Sequence, residues 1–121
     1  MIEKTPENIE AVPKLEWGQK IGPISQYTGI DEITKLNESL PEGEKKWRLP
    51  TIEELVAEFK KTGSTPTGFQ GELYEGEFYW SGTTHPSFSD HAYLVYMGNG
   101  SVYHFNKDDA DYYVRPVRDV A

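Results

Sequence analysis

Three histidines, His85, His91 and His104, and the acids near them are the residues whose chemistry first needs placing. With Asp90 they carry the donor atoms of a transition-metal site. Their spacing matches no helix or strand pairing that would set ligands on one face, so no metal is expected. Ser81, Ser87, Ser89 or Ser101 could complete a Ser–His–Asp arrangement on paper. None sits in a Gly-x-Ser-x-Gly elbow, and serines in such segments form turns. Asp108, Asp109 and Asp111 lack the ligand spacing of a calcium loop and read as a solvated acidic turn. Gly98-Asn99-Gly100 reads as a hairpin turn rather than a phosphate cradle, since no helix follows it. The chain has no cysteine, which excludes disulfides, thiolate zinc sites and a cysteine nucleophile. No catalytic residue, metal or cofactor is therefore expected, and the chain is read as non-enzymatic.

A different chemistry lies in the distribution of residue types. All fourteen Glu fall between Glu3 and Glu77, and Gln19, Gln26 and Gln70 are the only Gln. From Phe78 to Ala121 there is neither, and Lys107 is the single lysine. That segment holds every His and six of the eight Tyr. A β-rich, turn-rich half favours Tyr, Phe, Asp and Asn, which explains part of the shift. It does not explain a complete absence of Glu and Gln from exposed positions. Between Thr84 and Tyr112 the mixture of Tyr, His, Asn, Asp, Ser and Phe reads either as a plain β surface with core aromatics or as a binding surface. Tyrosine gives contact area at low entropic cost, and small polar residues give adaptable hydrogen bonds.

The elements that must position this surface follow from local patterns. Leu15-Glu16-Trp17 predicts a short strand. Ile30, Ile33, Leu36 and Leu40 predict a helix from about Ile30 to Leu40, ended by Pro41 and Gly43. Trp47 to Pro50 is extended, because the residue before proline avoids the α region. Thr51-Ile52-Glu53-Glu54 is a capping box opening a second helix with Leu55, Val56 and Phe59 inward and Gly63 as its stop. Thr62 to Glu77 is a long glycine-bearing loop. Strands are predicted at Phe78–Ser81, Ala92–Met97, Ser101–Phe105 and Tyr113–Val117, with Pro116 marking an edge or bulge in the last. Trp17, Trp47 and Trp80 read as core aromatics, and Arg48, Arg115 and Arg118 as structural anchors. The fold class is α+β, with two helices and a small, mostly antiparallel sheet.

At 121 residues the chain is one domain's length, with residues 1–14 read as a flexible polar arm and 15–121 as the domain. A net charge of −8 argues against nucleic acid and anionic membranes as partners. No apolar run is long enough for a transmembrane helix, and no signal peptide is visible at Met1.

Trp47-Arg48-Leu49-Pro50-Thr51 with Glu54-Leu55, Tyr79-Trp80-Ser81-Gly82-Thr83, Ala92-Tyr93-x-Val95, Gly100, Lys107 and Tyr113-Val114-Arg115-Pro116-Val117-Arg118 form one pattern. It resembles the bacterial domain at the C-terminus of Lcl-type collagen-like adhesins, over about Leu15 to Val120. The resemblance implies a C-type lectin fold, related to formylglycine-generating-enzyme-like proteins. Formylglycine-generating chemistry needs cysteines and is excluded here. The calcium-lectin triplets Glu-Pro-Asn and Trp-Asn-Asp are absent, which argues against calcium-dependent sugar binding.

The same fold family includes the variable proteins of diversity-generating retroelements. In these, adenine-directed mutagenesis rewrites a C-terminal stretch. Asn codons so mutated can yield Tyr, His, Asp, Ser, Phe, Ala, Gly, Leu and others, but never Glu, Gln, Lys, Met or Trp. Between Thr84 and Tyr112 only Met97 and Lys107 fall outside that set, and both read as fixed scaffold positions. The resemblance thus implies a ligand surface of Leu94, Tyr96, Ser101, Tyr103, His104, Phe105, Asn106, Asp109, Ala110, Asp111 and Tyr112. His85, Ser87, Phe88, Asp90 and His91 form its rim. Strand alternation sends Val95, Met97 and Val102 inward, and Leu94, Tyr96, Ser101 and Tyr103 outward. Tyr96, Tyr103 and Tyr112 are the expected anchors. The expected ligand is a protein; the alternative is a fixed glycan-binding adhesin domain of the Lcl type. Display at a cell or virus surface is the expected setting for either.

Overall fold

The computed structural model describes residues 15–61 and 77–119. The expected N-terminal arm, the helix stop at Gly63 and nearly all of the expected glycine-bearing loop lie outside the described residues. The described chain is α+β. In order it runs β1 (Leu15–Trp17), β2 (Ile21–Ile24), α1 (Gln26–Glu38), α2 (Ile52–Lys61), β3 (Phe78–Thr84), β4 (His91–Tyr96), β5 (Ser101–Asn106), β6 (Tyr112–Val114) and β7 (Val117–Asp119). Five strands form a sheet in the order β2-β6-β3-β4-β5, and β1 pairs with β7 apart from it. Every pairing is antiparallel except β3 with β6.

Two boundaries differ from expectation, each for a local reason. The helix α1 begins four residues early, because Ser25 caps it by accepting from the backbone N–H of Thr28 at 3.1 Å. Its inner face is Gln26, Gly29 and Ile33, while Ile30 and Leu36 are exposed. A Cβ on Gly29 would stand 2.8 Å from Val114 Cγ2, so the missing side chain lets the helix lie close on β6. The last expected strand is two strands. Arg115-Pro116 interrupts it, and the chain leaves the five-stranded sheet to pair with β1. The short strand β2 carries no alternating apolar run and was not foreseen.

The second helix opens as its capping box requires. Thr51 Oγ1 accepts from Glu54 N at 3.0 Å, and Glu54 Oε1 accepts from Thr51 N at 2.9 Å. Both Glu54 oxygens also accept from Arg48 at 2.9 Å. Burial alone would raise the Glu54 carboxyl, but these hydrogen bonds outweigh it and hold the group below the usual carboxylate range. A carboxylate depressed in the folded state stabilises above its unfolded pKa and loses that contribution as pH falls through the folded value. Glu54→Gln is expected to cost about 1 kcal/mol at neutral pH. It should also flatten the fall of the melting temperature between about pH 5 and pH 3. A melting curve series that runs parallel to the wild type would show that the pair contributes nothing.

The sheet has a core on each face. Ile33, Trp80, Ala92, Leu94 and Val114 cluster on the α1 side, and Leu55, Tyr79, Val95 and Met97 on the α2 side. Of the tryptophans only Trp80 is fully buried; Trp17 and Trp47 are half-buried at the margins. Two side chains thus go against expectation. Leu94, expected outward, is completely buried. The interior strand β4 is covered on both faces, so alternation there separates two cores rather than core from water. Val102, expected inward, is 46% exposed. It lies on the edge strand β5, while α2 lies over β3 and β4.

Candidate ligand-binding surface

The register of β4 and β5 sorts the expected surface onto two faces. Ala92, Leu94 and Tyr96 stand opposite Phe105, Tyr103 and Ser101; His91, Tyr93 and Val95 stand opposite Asn106, His104 and Val102. Partners directly across a ladder share a face, and successive residues alternate.

On the first face an aromatic patch gathers around Phe78. Its ring lies 4.7 Å from Tyr96, 5.4 Å from Tyr103, 5.2 Å from Tyr112 and 6.0 Å from Phe105. Phe105 stacks on Tyr112 at 5.0 Å, and Tyr112 meets the edge of buried Trp80 at 5.7 Å. The patch is therefore seated on the core rather than floating on a loop. Tyr103 is 42% exposed, and the other four rings are half-buried. The three expected anchors thus share one patch. Burial and the carboxylates of Asp109 and Asp111 push the Tyr112 phenol up, so it is a neutral donor and acceptor at physiological pH. Sequence reasoning missed Phe78 as the centre of this patch. Its register opposite Tyr96 was the available signal.

On the second face His85, Phe88, His91, Tyr93 and His104 form another group. His85 lies 4.2 Å from His104 and 5.3 Å from Tyr93, and His91 lies 5.2 Å from His104. The inference that no strand pairing sets these histidines on one face was incorrect. The β4–β5 register places His91 and His104 diagonally across from each other, and the turn after β3 folds His85 over them. Among the described residues no group of three or more His, Asp or Glu side chains is arranged to hold a metal ion. Desolvation, then the charges of His104 and His91, push the His85 pKa down. Phe88 is 51% exposed.

The two loops beside these faces are tied together. Lys107 donates its backbone N–H to Asp90 O at 2.8 Å and its ammonium to Thr84 Oγ1 at 3.0 Å. Its carbonyl accepts from Gln26 N at 3.1 Å, which anchors the loop to the start of α1. Asn106 reaches Asp90 at 3.3 Å. Asn106 and Asp109 also accept from backbone N–H groups two residues on, so the acidic loop before β6 is a pair of Asx turns. Ala110 and Asp111 are exposed at its tip, as is Ser87 in the neighbouring loop, where its N–H donates to His85.

A separate groove of about 660 Å³ lies beside β2, across the sheet from β5, and is lined by residues that include Trp17, Lys20, Glu32, Trp47 and Arg115. Arg115 is committed to the carbonyl of Gly18, and both charge signs occur on the walls, so the groove defines no ligand class.

The family model for the Lcl C-terminal domain matches residues 9–118 of this chain. The chain belongs to the Lcl C-terminal domain family. No curated protein matches it in sequence. The Lcl C-terminal domain motifs all fall on the scaffold. Arg48 pairs with Val117 through two backbone hydrogen bonds of 2.8 Å, and Gly82 N donates to Pro50 O at 2.8 Å. A Cβ on Gly82 would crowd Leu49 Cβ at 3.2 Å. Ser81 is buried and donates to Tyr93 O at 2.8 Å. Arg118 stacks on Trp47 at 4.4 Å and pairs with Glu16 and Glu44. The three arginines are structural anchors, as expected. These contacts hold the strands and loops around the two ring groups. No described helix is long and apolar enough to cross a membrane.

Proposed function

We propose that this protein is a non-enzymatic binding module, in which a C-type lectin scaffold presents a diversified C-terminal surface to a protein ligand, as in variable proteins of diversity-generating retroelements. One observation carries the reading. Between Thr84 and Tyr112 only Met97 and Lys107 lie outside the residues that mutated Asn codons supply. Met97 is completely buried, and Lys107 is latched at its N–H, carbonyl and ammonium. The residues that such mutagenesis cannot make thus stand where a scaffold cannot change. His91, His104 and Asn106, with the loop residues His85, Ser87, Phe88 and Asp90 beside them, form a group on the opposite face; the ligand surface is the aromatic patch with Ser101 and the Asp109–Tyr112 loop. It is broad and ring-rich rather than a deep pocket, which fits a protein ligand. Display at a cell or virus surface follows as the setting.

Sequencing the 3′ end of this gene across many individuals of the source population tests the reading. Substitutions should concentrate at Tyr96, Ser101, Tyr103 and Asp109 to Tyr112. They should spare Val95, Met97, Lys107 and the buried Leu94. A region no more variable than Trp47 to Phe59 would retire diversification. For a ligand captured from a displayed-protein library, alanine at Tyr96, Tyr103 or Tyr112 should each weaken binding about tenfold. Unchanged affinity after all three substitutions would refute the anchors.

A second reading is a fixed glycan-binding adhesin domain. Flat tyrosine rings flanked by the Asp109 and Asp111 carboxylates favour it, since sugars stack on rings and donate to acids. The charge of −8 works against sulfated polymers. Heparin binding that falls steeply with salt would support this reading; no binding at low salt would remove the sulfated class.

A further inference from the structure

His91 and His104 stand on neighbouring strands, on the face opposite the aromatic patch, with their Nδ1 atoms 3.0 Å apart. Two imidazole nitrogens at this separation share one hydrogen, or they occupy two neighbouring positions around one ion. Metal–imidazole bonds of about 2.0–2.1 Å at tetrahedral or square angles put the ligand nitrogens about 2.9–3.4 Å apart. The backbone therefore already holds the pair at a chelating distance. We propose that His91 and His104 form a two-imidazole seat for a divalent transition-metal ion of the copper, nickel and zinc class, bound through both Nδ1 atoms, with water or a partner's side chain in the remaining positions.

The proton count allows this. In the neutral pair one ring carries its hydrogen on Nδ1 and donates it to the other. On metal binding that hydrogen passes through solvent to Nε2 of the same ring. Both Nδ1 lone pairs are then free, and no net proton is released. Imidazole pairs suit copper, nickel and zinc, whereas calcium and magnesium require oxygen donors.

His85 is not a third ligand, although its ring is the closest to His104. Its Nδ1 accepts from the backbone N–H groups of Ser87 at 3.0 Å and Phe88 at 3.3 Å, which fixes its own hydrogen on Nε2. Its part is to hold the loop from His85 to Phe88 over the pair. Asp90 is engaged by the Asn106 amide and stands outside the donor set. With two protein ligands the remaining coordination positions stay open toward solvent.

The test is titration of the untagged protein with Cu²⁺ in a glycine-buffered solution, followed by ¹⁵N-resolved NMR. One Cu²⁺ per chain is expected, with paramagnetic broadening centred on residues 91–93 and 103–106. His91→Gln and His104→Gln should each weaken binding tenfold or more, while His85→Gln should stay within threefold of wild type. Metal-free spectra of each variant report its fold directly. Broadening centred elsewhere, such as on Asp108 to Asp111, would overturn the proposal. So would wild-type affinity in folded His91→Gln and His104→Gln.

Discussion

Trp80→Ala is expected to cost about 3–5 kcal/mol, a large share of the roughly 5–15 kcal/mol that holds a domain of this kind together. Trp80 is the largest completely buried side chain, at the centre of the α1-side core. Its removal leaves a cavity bounded by Leu94, Val114 and Ile33. It also strips the Ile24 carbonyl of the indole N–H that now donates to it at 3.1 Å. Because Tyr112 packs against this indole, the damage reaches the aromatic patch. Urea unfolding should show the loss, and NMR should show shifted signals for Tyr112 and Phe105. A loss below about 1 kcal/mol would mean that the core had closed over the site and that Trp80 does not support the patch.

Leu55→Ala is the matched experiment on the other face. Leu55 is completely buried against Tyr79, Val95 and Met97, and its truncation is expected to cost about 2–5 kcal/mol. None of the five patch rings belongs to this cluster, so their NMR signals should stay in place while amide exchange accelerates in α2. If Leu55→Ala shifts the patch as strongly as Trp80→Ala, the two cores are not independent supports. Binding by the two variants at a temperature where both remain folded should follow the same contrast.

These outcomes depend on details that were unevenly legible in the sequence. The capping box at Thr51, the turn at Gly98 to Gly100 and the first three strands from Phe78 onward could be read directly, because each rests on a local pattern. The roles of Arg48 and Arg118 were also readable, since arginine in an acidic chain finds carboxylates. Leu94 and Val102 were misplaced for one shared reason. A period of two tells which residues share a face, but not whether the other face meets water. That depends on what packs across each face of the sheet, which is a tertiary fact. The three tyrosine anchors proved to be neighbours because Tyr96 and Tyr103 fall on one face by parity, yet their meeting point at Phe78 needed the β3–β4 register. The histidines were harder still. Their proximity comes from a diagonal pairing and a folded-over turn, and sequence spacing encodes neither. The start of α1 was missed because Ser25 lies before the apolar repeat that was used to place the helix.

The small ladder of β1 with β7 has a mechanical meaning. Leu15 pairs with Asp119, and Trp17 with Val117, so the outer ends of both strands lie side by side. A load applied across those two ends would peel the ladder one pair at a time, in the geometry of a zipper. The five strands that carry the patch share no ladder with this pair. The first event under such a load would therefore lengthen the span between those ends while the aromatic patch kept its shape.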